Sequence, residues 1–192
     1  MSAKWHEMES KFKLCAKGGY TIRIKIYAGE GLSRHEPLAE QVVLEQMEGY
    51  LDEGRIVCTD NFYSGVGLAE KLISRSSHLV GTLMSNRKGI PREIKGMKLE
   101  RDHLCCKQKR NGILVLKWRD KRDLYMISTK HDAAVRTSQK PEVLDDYNEM
   151  KGFVDRTNGI IHAICTRNHE VVQEDFFYLI TQTAVQRCCE EY

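Results

Sequence analysis

The sequence lacks a long hydrophobic run, since none of its apolar stretches approaches the roughly 20 residues that span a bilayer. Its first seven residues contain no apolar signal core, so we expect no export signal. It has no sequon for N-glycosylation, and its seven Cys are an odd number, which fits a reducing compartment better than a disulfide scaffold. These absences predict an intracellular protein that has no membrane partner.

Several metal and cofactor motifs are missing as well. The pairs Cys105-Cys106 and Cys188-Cys189 are adjacent, and they lack the short spacing with which two thiolates converge on one zinc ion. No two His residues lie four positions apart, as a helical metal site would require, and no glycine-rich segment resembles a phosphate-binding loop. We therefore expect no zinc site, no catalytic His and no nucleotide-binding loop.

What the sequence does contain is the composition of a globular domain, with 41% hydrophobic and 30% charged residues. Its 192 residues suffice for a substantial core and fit one domain with an inserted subdomain. We predict one domain over residues 1–192, and the length leaves an inserted subdomain open.

Positive charge is concentrated in one part of the chain. The net charge is only +3, but residues 87–123 contain 13 Lys or Arg and 5 Asp or Glu. Such a stretch either follows a phosphate backbone or forms the solvated faces of strands and loops. The residues predicted to contact nucleic acid are Arg87, Lys88, Lys107, Lys109 and Arg110.

Hydrophobic periodicity predicts alternating strands and helices. Alternating apolar residues predict a hairpin of residues 12–15 and 20–27. After a polar loop at 28–40, apolar residues from Val43 to Leu51 recur at helical spacing, and Gly54 follows as a stop. The other predicted elements are strands at 55–59, 79–84, 113–118 and 124–129, a loop at 130–140, and helices at 65–74, 142–158 and 173–188.

Two Asp residues, Asp60 and Asp155, are candidate metal ligands. Asp60 closes the short strand at 55–59 and precedes an Asn-Phe-Tyr sequence, and Asp155 lies in a predicted helix. A strand end is a place where a sheet can deliver a metal ligand, but Asp there commonly forms a turn or caps a helix. Phe62 and Tyr63, which follow Asp60, either line a nucleic-acid groove or, as is commoner for aromatic residues there, pack into the core. Trp118 is predicted to cover the small core of the insertion.

Short motifs in a fixed order and spacing make the chain resemble piggyBac-type transposases, from about residue 12 to the C-terminus. Several independent motifs in register are more specific than any one of them alone. The motifs are TDNFY at 59–63, NRKGIP at 86–91, KWRDKRD at 117–123, MIST at 126–129, KP at 140–141, DYN at 146–148 and VDRT at 154–157.

The resemblance implies a mixed α/β, ribonuclease-H-like core of the DDE type, in which three Asp residues hold two divalent metal ions, Mg²⁺ or Mn²⁺. It also implies that residues 87–140 form a β-rich insertion within this core. By motif, Asp60 is the second of these residues and Asp155 the third. The first strand of the core and its Asp have no counterpart, and Asn158 takes the place of a further acid. Two such metals sit about 4 Å apart and share a carboxylate, so we expect the loss of that carboxylate to impair cleavage.

Three functions follow from this resemblance. The first is a transposable-element-derived DNA-binding domain without full catalytic activity, which requires salt-dependent affinity for duplex DNA. The second is an active DNA transposase in which an upstream segment, or Glu7 or Glu9, supplies the missing ligand for Mn²⁺-dependent nicking. The third is a non-functional remnant with an unpaired sheet edge, against which a soluble, cooperatively folding product would argue. We adopt the first, with DNA as partner, a homodimer as a candidate assembly and the nucleus as the inferred location.

Overall fold

The chain divides into two compact units, one formed by Met1–Gly31 and Met150–Tyr192, the other by Leu32–Glu149. The structure is a computed structural model, and it describes residues 10–17, 19–27, 37–132 and 140–167. No helix within these ranges has both the length and the apolar character that a membrane span needs.

The first unit contains an antiparallel hairpin of strands β1 (Ser10–Cys15) and β2 (Thr21–Tyr27). The backbone N–H of Ala16 donates to the carbonyl oxygen of Tyr20 at 2.7 Å and closes the turn. Gly19 has a φ of 93°, a conformation that side chains disfavour, so the turn requires a glycine there. The hairpin predicted from the alternating pattern is confirmed.

The second unit is built on a mixed five-stranded sheet. Its strands are β3 (Ile56–Thr59), β4 (His78–Leu83), β5 (Leu104–Gln108), β6 (Leu114–Arg119) and β7 (Asp123–Ser128). Their order across the sheet is β3-β4-β7-β6-β5, in which β3 and β4 run parallel and the other neighbours antiparallel. Three of these strands come from the predicted insertion and add directly to β4 through β7. The boundaries of that insertion, 87–140, stay a prediction.

Three short helices flank this sheet in the sequence: α1 (Leu38–Gln46), α2 (Val66–Ser74) and α3 (Arg92–Gly96). The predicted position of the first helix is wrong, because α1 begins within the predicted loop and ends before Met47. The chain turns after the helix, and Gly49 takes a φ of 85° there. Met47 and Leu51 are nevertheless buried, because the turn also packs onto the core. Apolar spacing alone could not separate the helix from the turn.

The remaining predicted elements match to within one or two residues, apart from the last helices. Helix α4 (Glu142–Arg167) is longer than the predicted segment 142–158. Strand β5 and helix α3 were not predicted. The predicted helix at 173–188 and part of the loop at 130–140 lie outside the described residues.

The core of the second unit lies between the sheet and its helices. Trp118 on β6 is buried as predicted, and α2 contributes three side chains with no exposed surface. The largest fully buried side chains are Leu68, Leu72, Leu79, Ile94, Ile113, Leu114, Leu116, Met126, Ile127, Val42, Val80 and Val143. A core built on β4, β6 and β7 holds the end of the neighbouring β3, where Asp60 follows.

Candidate functional site

Asp60 is the first residue after β3, and its side chain organises the turn that follows. The Oδ1 atom accepts a hydrogen bond from the backbone N–H of Phe62 at 2.9 Å and a longer one from that of Tyr63 at 3.4 Å. The turn-forming interpretation of Asp60 is therefore confirmed. Asp60 is also exposed, so the carboxylate remains accessible to a ligand from solvent.

Two buried hydroxyl groups form hydrogen bonds at the base of this turn. The hydroxyl of Ser64 lies 2.8 Å from the carbonyl oxygen of Asp60, to which it donates, and 2.7 Å from Thr59 Oγ1. Because the Ser64 proton points to a carbonyl, the Thr59 hydroxyl is the donor between the two side chains. Gly81 on β4 faces this pair so closely that an added Cβ would lie 2.2 Å from Ser64 Oγ. The turn thus rests on a tightly packed polar cluster.

Arg87 holds the outer side of the same turn. Its Nη2 atom donates to the carbonyl oxygens of Asn61, at 3.1 Å, and of Phe62. Lys95 Nζ in turn donates to the carbonyl oxygen of Arg87 at 3.1 Å. The guanidinium of Arg87 thus fixes the Asp60 turn, and its predicted contact with nucleic acid stays a prediction.

The two aromatic residues of the turn differ in burial. Phe62 is 42% exposed, so the prediction that it packs into the core is wrong for this residue. Tyr63 is half-buried, and the ring centroids of Phe62 and Tyr63 lie 5.0 Å apart in an edge-to-face arrangement. Burial, together with the nearby charge of Asp60, raises the pKa of Tyr63 to about 12. The same two causes raise the pKa of Cys58 to about 12, so neither group ionises near neutral pH.

Asp155 belongs to the first unit, whereas Asp60 belongs to the second, and each is described within its own unit. Asp155 is exposed on α4, and its Oδ2 atom lies 3.7 Å from Nζ of Lys151 one helical turn earlier. Asn158 also lies on α4. The proposed metal role of Asp60 and Asp155 stays a prediction.

Asp60 could supply one carboxylate ligand to a metal ion. Among the described residues, no group of three or more His, Cys, Asp or Glu side chains could hold an ion. Mg²⁺ usually keeps several waters and takes one or two carboxylates plus phosphate oxygens. The Asp60 carboxylate fits one such ligand position for Mg²⁺ or Mn²⁺, with the remaining ligands coming from water and a bound phosphate.

The basic residues of segment 87–123 form two groups. Seven are engaged by other groups of the protein; for example, Lys107 Nζ lies 2.7 Å from Glu93 Oε1, and Lys109 Nζ lies 2.9 Å from Glu70 Oε1. The other engaged residues are Arg87, Lys95, Arg101, Lys117 and Arg119. Lys117 is a buried example, with its Nζ 2.6 Å from the carbonyl oxygen of Met97.

The second group consists of six residues that we call the exposed cations. They are exposed and have no acidic partner in the part of the chain that the structure describes: Lys88, Arg92, Lys98, Arg110, Lys121 and Arg122. The predicted nucleic-acid contacts include only Lys88 and Arg110 from this group. The sequence did not single out the other four, because it does not reveal which cations lack an ion-pair partner, and the predicted contacts of Lys88 and Arg110 stay a prediction.

A buried network that the sequence analysis missed joins β7 to α4. His131 lies 2.8 Å from the Ser128 hydroxyl through Nδ1 and 2.8 Å from Asp146 Oδ2 through Nε2. Burial raises the pKa of Asp146, but hydrogen bonds from His131 and Lys130 outweigh it, so that pKa lies below its usual value. Ser128 has no exposed surface. The hydroxyl is thus inaccessible to a substrate, and the network anchors the start of α4.

We predict that Asp60→Ala lowers the free energy of unfolding by about 1 kcal/mol, because two backbone N–H groups lose their acceptor. Asp60→Asn keeps an oxygen in the same place and should cost less than about 0.5 kcal/mol. Urea unfolding of both variants measures the difference. Equal losses for Asn and Ala would show that charge, and not the turn, is what Asp60 contributes to stability.

Comparisons with known proteins identify the family. The sequence model of the Transposase IS4 family matches residues 4–186. A cryo-EM structure of a piggyBac transposase synaptic complex with hairpin DNA superposes with a TM-score of 0.72 at 20% identity, covering 95% of this chain and 48% of that one. This likeness confirms the predicted mixed α/β, ribonuclease-H-like fold class, and the chain spans about half the length of that transposase. The chain belongs to the Transposase IS4 family of piggyBac-type DDE transposases.

Proposed function

We propose that this chain is a transposase-derived DNA-binding domain that does not cleave DNA by itself. The observation that carries the proposal is the set of six exposed cations, which have no acidic partner in the described ranges. Cations of this kind bind phosphates and release condensed counterions, which favours association with a nucleic-acid backbone. Membership of a transposase family and a structural neighbour solved with hairpin DNA support DNA as the partner.

The Asp60 turn supports the second half of the proposal. Asp60 brings one carboxylate to the end of β3, and its Oδ1 atom is already hydrogen-bonded to two backbone N–H groups. A two-metal phosphoryl transfer needs carboxylates that clamp both ions and neutralise part of their charge. In the first unit, Lys151 pairs with Asp155, and Asn158 is a neutral amide where the family has an acid. Binding of DNA needs none of these acidic groups.

A second candidate function is strand cleavage by a complete transposase that includes this chain. Strand β3 is at one edge of the described five-stranded sheet, and Asp60 lies at its carboxyl end. An additional strand that paired with this edge would place its own carboxyl-terminal residue beside Asp60 if it ran parallel to β3. A further segment of polypeptide could supply the missing carboxylate in that way.

One assay separates the two candidates. A labelled duplex with a hairpin end is incubated with Mn²⁺ and either this chain or a longer protein that carries an upstream segment, and protein-bound DNA is isolated and its strands are sized. We expect retained DNA of full length. Absence of retained DNA would overturn the proposal, and cut strands that disappear with Asp60→Asn would favour cleavage instead.

The proposed location of the protein follows from DNA as its partner. We propose that it acts in the nucleus, where duplex DNA is available. The homodimer stays a prediction. Cell fractionation and light scattering at several protein concentrations test these two statements separately.

A further inference from the structure

Phe62 presents an aromatic ring to solvent in the same turn as the Asp60 carboxylate. Phe62 is 42% exposed. Its backbone N–H donates to Asp60 Oδ1 at 2.9 Å, and its carbonyl oxygen accepts a hydrogen bond from Arg87 Nη2. The backbone that carries the ring is therefore fixed from both sides.

The side chain of Phe62 is held as well. Its ring plane stands at 86° to that of Tyr63, with 5.0 Å between the ring centroids. Tyr63 is half-buried, so it restricts the Phe62 ring from one side while much of that ring stays open to solvent. A ligand can therefore stack on Phe62 without first ordering it.

The charges beside this ring point to the class of ligand. The Arg87 guanidinium binds the carbonyl oxygen of Phe62. Lys88, the next residue along the chain, is exposed without an acidic partner in the ranges that the structure covers. Proteins that bind unpaired nucleic acid combine cations for the backbone with aromatic rings on which bases stack. A single open ring beside positive charge matches that combination, whereas a protein partner would be expected to require a broader apolar patch.

We propose that Phe62 is a stacking platform for an unpaired nucleobase of DNA that is bound at the Asp60 turn. The proposal rests on the proposed DNA-binding function and adds a subsite to it. The base stacks on the open part of the ring, and nearby cations hold the adjoining phosphates. Stacking depends on the face of the base, so the subsite accepts any of the four bases.

The test compares two DNA duplexes of equal length and charge with the full chain. One contains two unpaired bases, and the other contains abasic sites at the same two positions. We expect the wild type to bind the first about tenfold more tightly, a difference of about 1.4 kcal/mol. Phe62→Ala should remove that preference without changing either the affinity for abasic DNA or its salt dependence, and Phe62→Trp should restore it.

Met97→Ala is the matched control, because Met97 is also an exposed apolar side chain, at 44%, outside the Asp60 turn. This variant should keep the tenfold preference. A Phe62→Ala variant that retains the preference, or a wild type that binds both duplexes equally, overturns the stacking proposal alone. A wild type that binds neither duplex overturns the proposed DNA-binding function together with it.

Discussion

Gly81→Ala is expected to lower the free energy of unfolding by about 3 kcal/mol, the upper end of the range for overpacking a core. An added Cβ would lie 2.2 Å from Ser64 Oγ, 2.6 Å from the carbonyl oxygen of Thr59 and 2.9 Å from Thr59 Oγ1. Two of these atoms belong to side chains whose hydrogen bonds support the Asp60 turn, and the third is backbone in the neighbouring strand. The clash cannot be relieved by moving one flexible side chain.

Thermal unfolding measures this effect. For a chain of this size, 3 kcal/mol corresponds to a fall in Tm of roughly 6 to 12 °C. Gly96→Ala is the matched control, because no atom lies within 4 Å of its added Cβ, and its Tm should stay close to that of the wild type. A Gly81→Ala protein that unfolds at the wild-type temperature would show that β3 and β4 do not pack as described.

Replacement of all six exposed cations by Gln is expected to reduce affinity for duplex DNA by about a thousandfold at 50 mM salt. Each cation that contacts a phosphate contributes about 0.9 to the slope of log K against log salt concentration, so the variant should also lose most of its salt dependence. These side chains are exposed, and each substitution should change the stability of the fold by less than about 0.5 kcal/mol. Fluorescence anisotropy with a labelled duplex measures both affinity and slope.

A charge-conserving variant is the control for this experiment. It exchanges Lys for Arg and Arg for Lys at the same six positions, so it changes shape while keeping every charge. Its affinity should remain within a few-fold of the wild type, because nonspecific binding depends mainly on charge. If the Gln substitutions leave the affinity nearly unchanged, the exposed cations do not bind DNA.

Local sequence patterns predicted the elements whose residues determine their own conformation. The hairpin of β1 and β2 follows from strict alternation around a turn with glycine, and α2 follows from a compact apolar face. The end of α1 could not be predicted, because its apolar positions continue into the turn from Met47 to Tyr50. Strand β5 contains the polar residues Lys107 and Gln108 and owes its conformation to pairing with β6. The local pattern of apolar residues does not reveal such a pairing.

The sequence motif of the candidate site could be predicted, but the hydrogen bonds and ion pairs around it could not. The sequence placed Asp60 at the end of a strand, and it offered both the turn and the ligand interpretations. The role of Arg87 depends on hydrogen bonds to a turn 25 and 26 residues away, and the partner of Lys109 is 39 residues away. Charge counts along the chain cannot identify such partners. The five cations predicted to contact nucleic acid therefore include three that the protein engages itself, and their contacts with nucleic acid stay a prediction.

The most direct test of this account is the affinity of the wild-type chain for a short duplex at salt concentrations from 50 to 200 mM. We predict a linear fall of log K with log salt, with a slope of about −5 if all six exposed cations contact phosphates and at least about −2 if two do. The smaller slope already means a loss of about tenfold across this range. Affinity that is absent, or that does not change with salt, would contradict a DNA-binding function based on these cations.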